Sequence, residues 1–141
     1  MIKPANLKTG DELPGLVRQL NQQKINLYAE AMADYNPIHT DRDFAVNAGF
    51  DNTIAHGMLL LAYVSEMMTN VFGESWLATG KLAIRFRSPA LSTDLVTVTG
   101  KIDSVISENG GINYNCSLDC HNQNKSILIT GNASVKVKAK V

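Results

Sequence analysis

Cysteine is scarce in this chain. Cys116 and Cys120 are the only two in 141 residues, so no disulfide framework is implied. An excess of either charge is also missing, because Lys+Arg and Asp+Glu stand at 13 each. With no Lys/Arg run to follow a phosphate backbone, nothing drives binding to nucleic acid. Lys136, Lys138 and Lys140 alternate as on the solvent face of a strand. Long apolar runs are absent as well: Met58 to Val64 is the longest, far too short to cross a bilayer. The start, Met1-Ile2-Lys3-Pro4, lacks the apolar core of a signal peptide. These absences predict a cytoplasmic protein with neither nucleic acid nor membrane as partner. No repeat and no Pro/Gly/Ser-rich linker divides the chain. A single domain over 1–141 is therefore expected, and 45% hydrophobic residues suit one compact core.

The pattern that is present changes period part-way along. Leu13 to Leu20 reads as a short strand. Lys24 to Ala33 places Ile25, Tyr28, Ala29 and Met32 at helical spacing, and Asn36-Pro37 is expected to end that helix. Thr40 is the expected N-cap of a second short helix, Asp41 to Ala48, with Gly49 as its stop. Met58 to Phe72 is apolar at 11 of 15 positions and on every face, the mark of a buried helix. From Lys81 the period becomes two. Lys81 to Arg87, Leu95 to Ile106, Ile112 to Cys120 and Ser126 to Val137 read as strands, with Glu108-Asn109-Gly110-Gly111 as a hairpin turn. One strand, then helices, then four strands predicts an α+β fold with an antiparallel sheet packed on a central apolar helix.

Two short strings could carry chemistry. Asp34-Tyr35-Asn36-Pro37-Ile38-His39 sets a carboxylate and an imidazole five residues apart around a turn. Converging side chains of those types can hold one water and move its proton. Asn36 could orient either of them. The plainer alternative is ordinary turn chemistry, with Asp34 capping and His39 on the surface. Ala55-His56-Gly57-Met58 opens the apolar helix. Free N–H groups there, with the positive helix end behind them, attract developing negative charge, and glycine lets a ligand come close. Alternatively, Gly57 merely permits a tight entry. His56 reads as a structural hydrogen-bonding residue. No metal site is expected: the Cys116/Cys120-His121 cluster has no second ligand pair, and core cysteines explain it better. Neither a Gly-x-Ser-x-Gly nucleophile string nor a glycine-rich phosphate loop occurs.

Taken together, Ala33-Asp34-Tyr35-Asn36-Pro37-Ile38-His39-Thr40-Asp41, Ala48-Gly49-Phe50, Ile54-Ala55-His56-Gly57-Met58 and Phe86-Arg87-Ser88-Pro89 resemble the signature of the MaoC-like, R-specific enoyl-CoA hydratases. The resemblance covers most of the chain. It implies a hot-dog fold, a sheet wrapped around a long helix, and a homodimer. It implies that Asp34 and His39 activate a water for addition across an α,β-unsaturated acyl thioester. The Gly57 N–H would polarise the thioester carbonyl, with Asn36 supporting. One acid/base group would take a proton and the other deliver one to Cα, and the residues do not say which. No cofactor is implied beyond the coenzyme A or acyl carrier protein that is part of the substrate. Tyr63 and Met67 are candidates for the acyl tunnel, with plain core packing as the alternative. One departure is the turn Ser92-Thr93-Asp94, where the family commonly has Gly-Asp. An acyl thioesterase and a non-catalytic acyl-thioester binding subunit are the competing readings, and fold alone does not separate them.

Overall fold

The computed structural model describes residues 6–139; Met1 to Pro4 and Lys140 lie outside them. The order is β1 (Glu12–Gln19), α1 (Gln22–Met32), α2 (Arg42–Asn47), α3 (Gly57–Phe72), α4 (Glu74–Thr79), β2 (Lys81–Phe86), β3 (Leu95–Glu108), β4 (Gly111–His121) and β5 (Ile127–Lys138). All strand pairings are antiparallel, in the order β1-β3-β4-β5-β2. The β3–β4 hairpin pairs Glu108 with Gly111, leaving Asn109-Gly110 as a two-residue turn. Gly110 there has φ +75°, a left-handed value that glycine adopts without a steric penalty. This is the α+β hot-dog arrangement, a five-stranded sheet folded over one long helix.

The helix that it covers is α3. Leu60, Val64, Met67, Met68, Val71 and Phe72 are buried, a stripe at helical spacing that meets the inward faces of β1, β3 and β5. Burial on every face was expected, and the structure differs. Met58 is 55% exposed and Ala62 is also open. One sheet covers one side of a helix, so the other apolar side stays uncovered in a single protomer. Met67 has no exposed surface; a Cβ built on Gly100 of β3 would lie 3.0 Å from its Cε, which is core packing. Tyr63 is half-buried at the edge of the same core.

Three local readings are corrected. α1 ends at Ala33, three residues before Asn36, in the left-handed region (φ 53°, ψ 35°). Ala33 N–H bonds Glu30 O and Asp34 N–H bonds Ala29 O, the paired closure of a Schellman motif. Proline therefore follows the stop rather than causing it. The N-cap of α2 is Asp41, whose carboxylate accepts from Phe44 N–H, and Thr40 is not the cap. The short α4 was not foreseen. It follows Gly73 directly and is anchored by Trp76, whose Nε1–H donates to Ser65 Oγ at 3.0 Å.

Cys116 faces Ile102 and Ala133 across the sheet, and Cys120 faces Val98 and Ile129. Both are buried. Burial pushes each thiol up to about 12, helped by Asp103 at Cys116 and by Asp119 at Cys120. Only a thiolate attacks an alkylating reagent. Both cysteines should therefore resist iodoacetamide at pH 8 in the folded protein and react together once denaturant unfolds it. Labelling of either thiol before unfolding would contradict this packing.

Candidate active site

The closure of α1 fixes where Asp34 begins. An alanine in the left-handed region costs roughly 1 kcal/mol, and here it turns the chain sharply into the segment 34–41. Asn36 then builds the turn. Its Oδ1 accepts from Ile38 N–H at 3.2 Å, and its carbonyl accepts from His39 N–H at 3.1 Å. Asn36 N–H also reaches Asp34 Oδ1 at 3.4 Å. Asn36 thus shapes the loop that carries both groups, and its amide is spent on the backbone of Ile38 rather than on either side chain.

A second segment holds the imidazoles. Ala55 N–H bonds Ala90 O, Ser92 N–H bonds Thr53 O, and Ile54 bridges Leu91, which ties the approach to α3 to the loop after β2. Ile54 N–H also bonds Ile38 O. Its carbonyl lies 2.8 Å from His39 Nδ1. A carbonyl only accepts, so Nδ1 carries the proton and Nε2 of the neutral ring is left basic. His56 Nε2 donates to the Asp34 carbonyl at 3.2 Å. The two imidazoles stack with centroids 3.8 Å apart and planes inclined 25°, and Tyr28 of α1 lies 4.9 Å from His56 on its ring side. His39 and His56 are buried and Asp34 is exposed. One ligand-type atom from each of Asp34, His39 and His56 lies within 4.8 Å of the others. Face-to-face rings, however, send their lone pairs along near-parallel planes instead of onto one point, which is poor geometry for sharing a metal.

Behind His39 runs a polar chain that the sequence did not advertise. Gln22, the first residue of α1, donates from Nε2 to His39 O at 2.7 Å. Thr53 Oγ1 gives its proton to Gln22 Oε1 at 2.6 Å, so the Ser92 hydroxyl, 2.8 Å away, donates to Thr53. Thr53 and Ser92 are buried. Ser92 is one of the residues in the turn that departs from the family pattern, and Asp94 holds that turn by accepting from Leu91 N–H at 2.9 Å. No periodicity or motif could have marked Gln22 or Thr53, since their roles depend on contacts 31 residues apart.

Gly57 is the first residue of α3, where helix geometry leaves N–H groups without an intrahelical acceptor. A Cβ on Gly57 would come 2.9 Å from the ring of Phe86. An aromatic ring from the end of β2 lies against it, and that 55% exposed ring would have to swing aside for a larger residue. The Cys116/Cys120-His121 cluster stands apart: the thiols are protonated in the core, and His121 Nδ1 pairs with Asp119 Oδ1 at 2.9 Å.

This geometry can be set beside known proteins. The MaoC like domain family matches residues 8–117. The chain belongs to the MaoC-like family. It is 28% identical over 126 residues to an (R)-specific enoyl-CoA hydratase from Rhodospirillum rubrum, covering 89% of this chain and 85% of that protein. It is 30% identical over 131 residues to a mitochondrial 3-hydroxyacyl-[acyl-carrier-protein] dehydratase from Arabidopsis thaliana, covering 91% and 76%. Among solved structures, the (R)-hydratase from A. caviae superposes with a TM-score of 0.81 at 22% identity, covering 94% of this chain and 98% of that one. At that identity it shows the fold. In this MaoC-like domain, then, the signature residues Asp34, His39, His56 and Gly57 do meet in one place.

Burial pushes the His56 imidazole below its ordinary value of 6.5. The Asp34 carbonyl opposes that shift, neighbouring His39 adds to it, and the Asp34 charge opposes it. A lowered folded-state value means that the unfolded chain binds more protons as acid is added, so this contribution to stability is present above about pH 6.5 and is lost as the pH falls below it. Melting temperature should decline from pH 6.5 to pH 5. The decline should be shallower in His56→Gln, where that proton linkage is gone; equal slopes would contradict the assignment.

Proposed function

We propose that this MaoC-like domain is a hydro-lyase, a hydratase/dehydratase that interconverts trans-2-enoyl and (R)-3-hydroxyacyl thioesters. The observation that carries this reading is the fixed tautomer of His39. With Nδ1–H spent on Ile54 O, Nε2 is left as the base, and a ring nitrogen of His39 lies within 4.8 Å of the exposed Asp34 carboxylate. Water held between the two gives one proton to His39 Nε2 as its oxygen bonds to the β-carbon. The π electrons move to the thioester oxygen, where the Gly57 N–H and the positive helix end stabilise the enolate. The imidazolium, kept in place by the Asp34 charge, returns the proton to Cα, so the net change is one water across one double bond. Dehydration is the same path reversed.

The names of the relatives support the reaction class and include both carriers, coenzyme A and acyl carrier protein, so either is a candidate form of the substrate. The acyl chain would run along α3, where the half-buried Tyr63 is the residue proposed to meet it, while Met67 stays in the core. The uncovered apolar side of α3 and the unpaired edge of β2 at the sheet margin support a homodimer that covers them. Two buried, reduced thiols fit a cytoplasmic address. Among the described residues no helix is long and apolar enough to cross a membrane.

Mixing purified protein with crotonyl-CoA should remove the conjugated-thioester absorbance. Asp34→Asn and His39→Ala, confirmed as folded by circular dichroism, should each lower kcat/KM by about 10²–10⁴-fold. Release of free thiol in place of hydration would make the protein a thioesterase. Inertness towards both enoyl-CoA and enoyl-carrier-protein substrates would make it a binding subunit.

A further inference from the structure

His56 combines features that an inert core residue does not need. Its side chain is 2% exposed, and its Nδ1 is buried without a hydrogen-bond partner among the described residues. An unpaired buried acceptor is unfavourable. Yet the ring is the N-cap residue of α3 and makes no cap hydrogen bond with its side chain. It is spent elsewhere, on the Asp34 carbonyl at 3.2 Å and on the face of His39 at 3.8 Å. We propose that His56 is a positioning residue, locked as the neutral Nε2–H tautomer, which fixes the main chain of Asp34 by its donor and the plane of His39 by its face. This inference rests on the hydratase reading for what the two partners do.

Asp34 is exposed, and the carboxylate that must hold water is attached to a backbone turned by a left-handed alanine. Without a donor on its carbonyl, that turn has less to hold it. The His39 ring pivots about a single Nδ1–Ile54 bond, and a stacked neighbour removes the remaining freedom. The neighbour must be neutral, because a charged ring stacked at 3.8 Å would oppose the imidazolium that His39 becomes. The surroundings keep it so. Tyr28 presents an aromatic ring from α1, Phe86 at Gly57 brings no charge from β2, α3 has no acid in its first turn, and the nearby titratable groups are Asp34 and His39. Tight burial leaves the cation poorly solvated.

The test pairs spectra with kinetics. Long-range ¹H–¹⁵N spectra of labelled protein without substrate should show His56 with a protonated Nε2 and a bare Nδ1 at pH 8, and protonation of the ring only at a lower pH than a free imidazole. A protonated Nδ1 at pH 8, or protonation at or above the free-imidazole pH, would overturn the proposal. His56→Phe keeps a ring face and loses the donor, and His56→Gln keeps a donor and loses the face. Each should lower kcat about tenfold or more with KM within about twofold, assayed where the variant is folded. A raised KM at unchanged kcat, or a loss that merely tracks the folded fraction, would reduce His56 to packing. If the wild type hydrates nothing, the function fails, while the tautomer still stands or falls on the spectra.

Discussion

The site depends on one peptide unit pair, that of Ile54. Its N–H holds Ile38 O, and its carbonyl holds His39 Nδ1. The same residue bridges Leu91 in the loop after β2. A backbone carbonyl cannot donate, so this one contact settles the tautomer of His39 and with it the direction in which the imidazole can do chemistry. Side-chain partners such as a carboxylate would hold the ring too, but would also raise its affinity for a proton. A main-chain partner sets orientation with less electrostatic bias.

Much of this could be read from the residues. The strands from Lys81 onward alternate as half-buried strands must, and Asn109-Gly110 marks its own turn. The juxtaposition of Asp34 and His39 follows from a turn string whose chemistry is local. What was not legible depends on tertiary contact. Ala33 carries no side-chain signal for a left-handed stop, so Pro37, the loudest local punctuation, took the credit. Gln22 looks like any polar residue in the first turn of a helix, and Thr53 and Ser92 like loop residues. Their hydrogen bonds join three distant segments. Gly57 was read as a place where a ligand can come close, and the sequence could not say that the ring of Phe86 takes up the room beside it.

The polar chain from Ser92 through Thr53 to Gln22 has a direction, and the direction is forced. His39 O accepts, so the Gln22 amide must present Nε2 there and Oε1 to Thr53. Thr53 has one proton and spends it on Oε1, so Ser92 donates to Thr53. No member can reverse without leaving two acceptors facing each other. A satisfied one-way network of this kind has a single low-energy arrangement, and it stiffens the loop on the side opposite the reacting face.

Stiffness behind the site contrasts with openness in front of it. Tyr35 is 64%, Met58 55% and Phe86 55% exposed, while the groups they accompany, His39 and His56, are buried. Isolated apolar residues on a surface need no explanation, but these accompany the helix start where charge would develop. In water that charge would be screened, and the Gly57 N–H would gain little by pointing at it. The chemistry proposed for Asp34 and His39 therefore requires something apolar to close over this face. On the proposed reading, a second copy of the chain, together with the acyl thioester itself, would lie on the uncovered side of α3 and supply that cover.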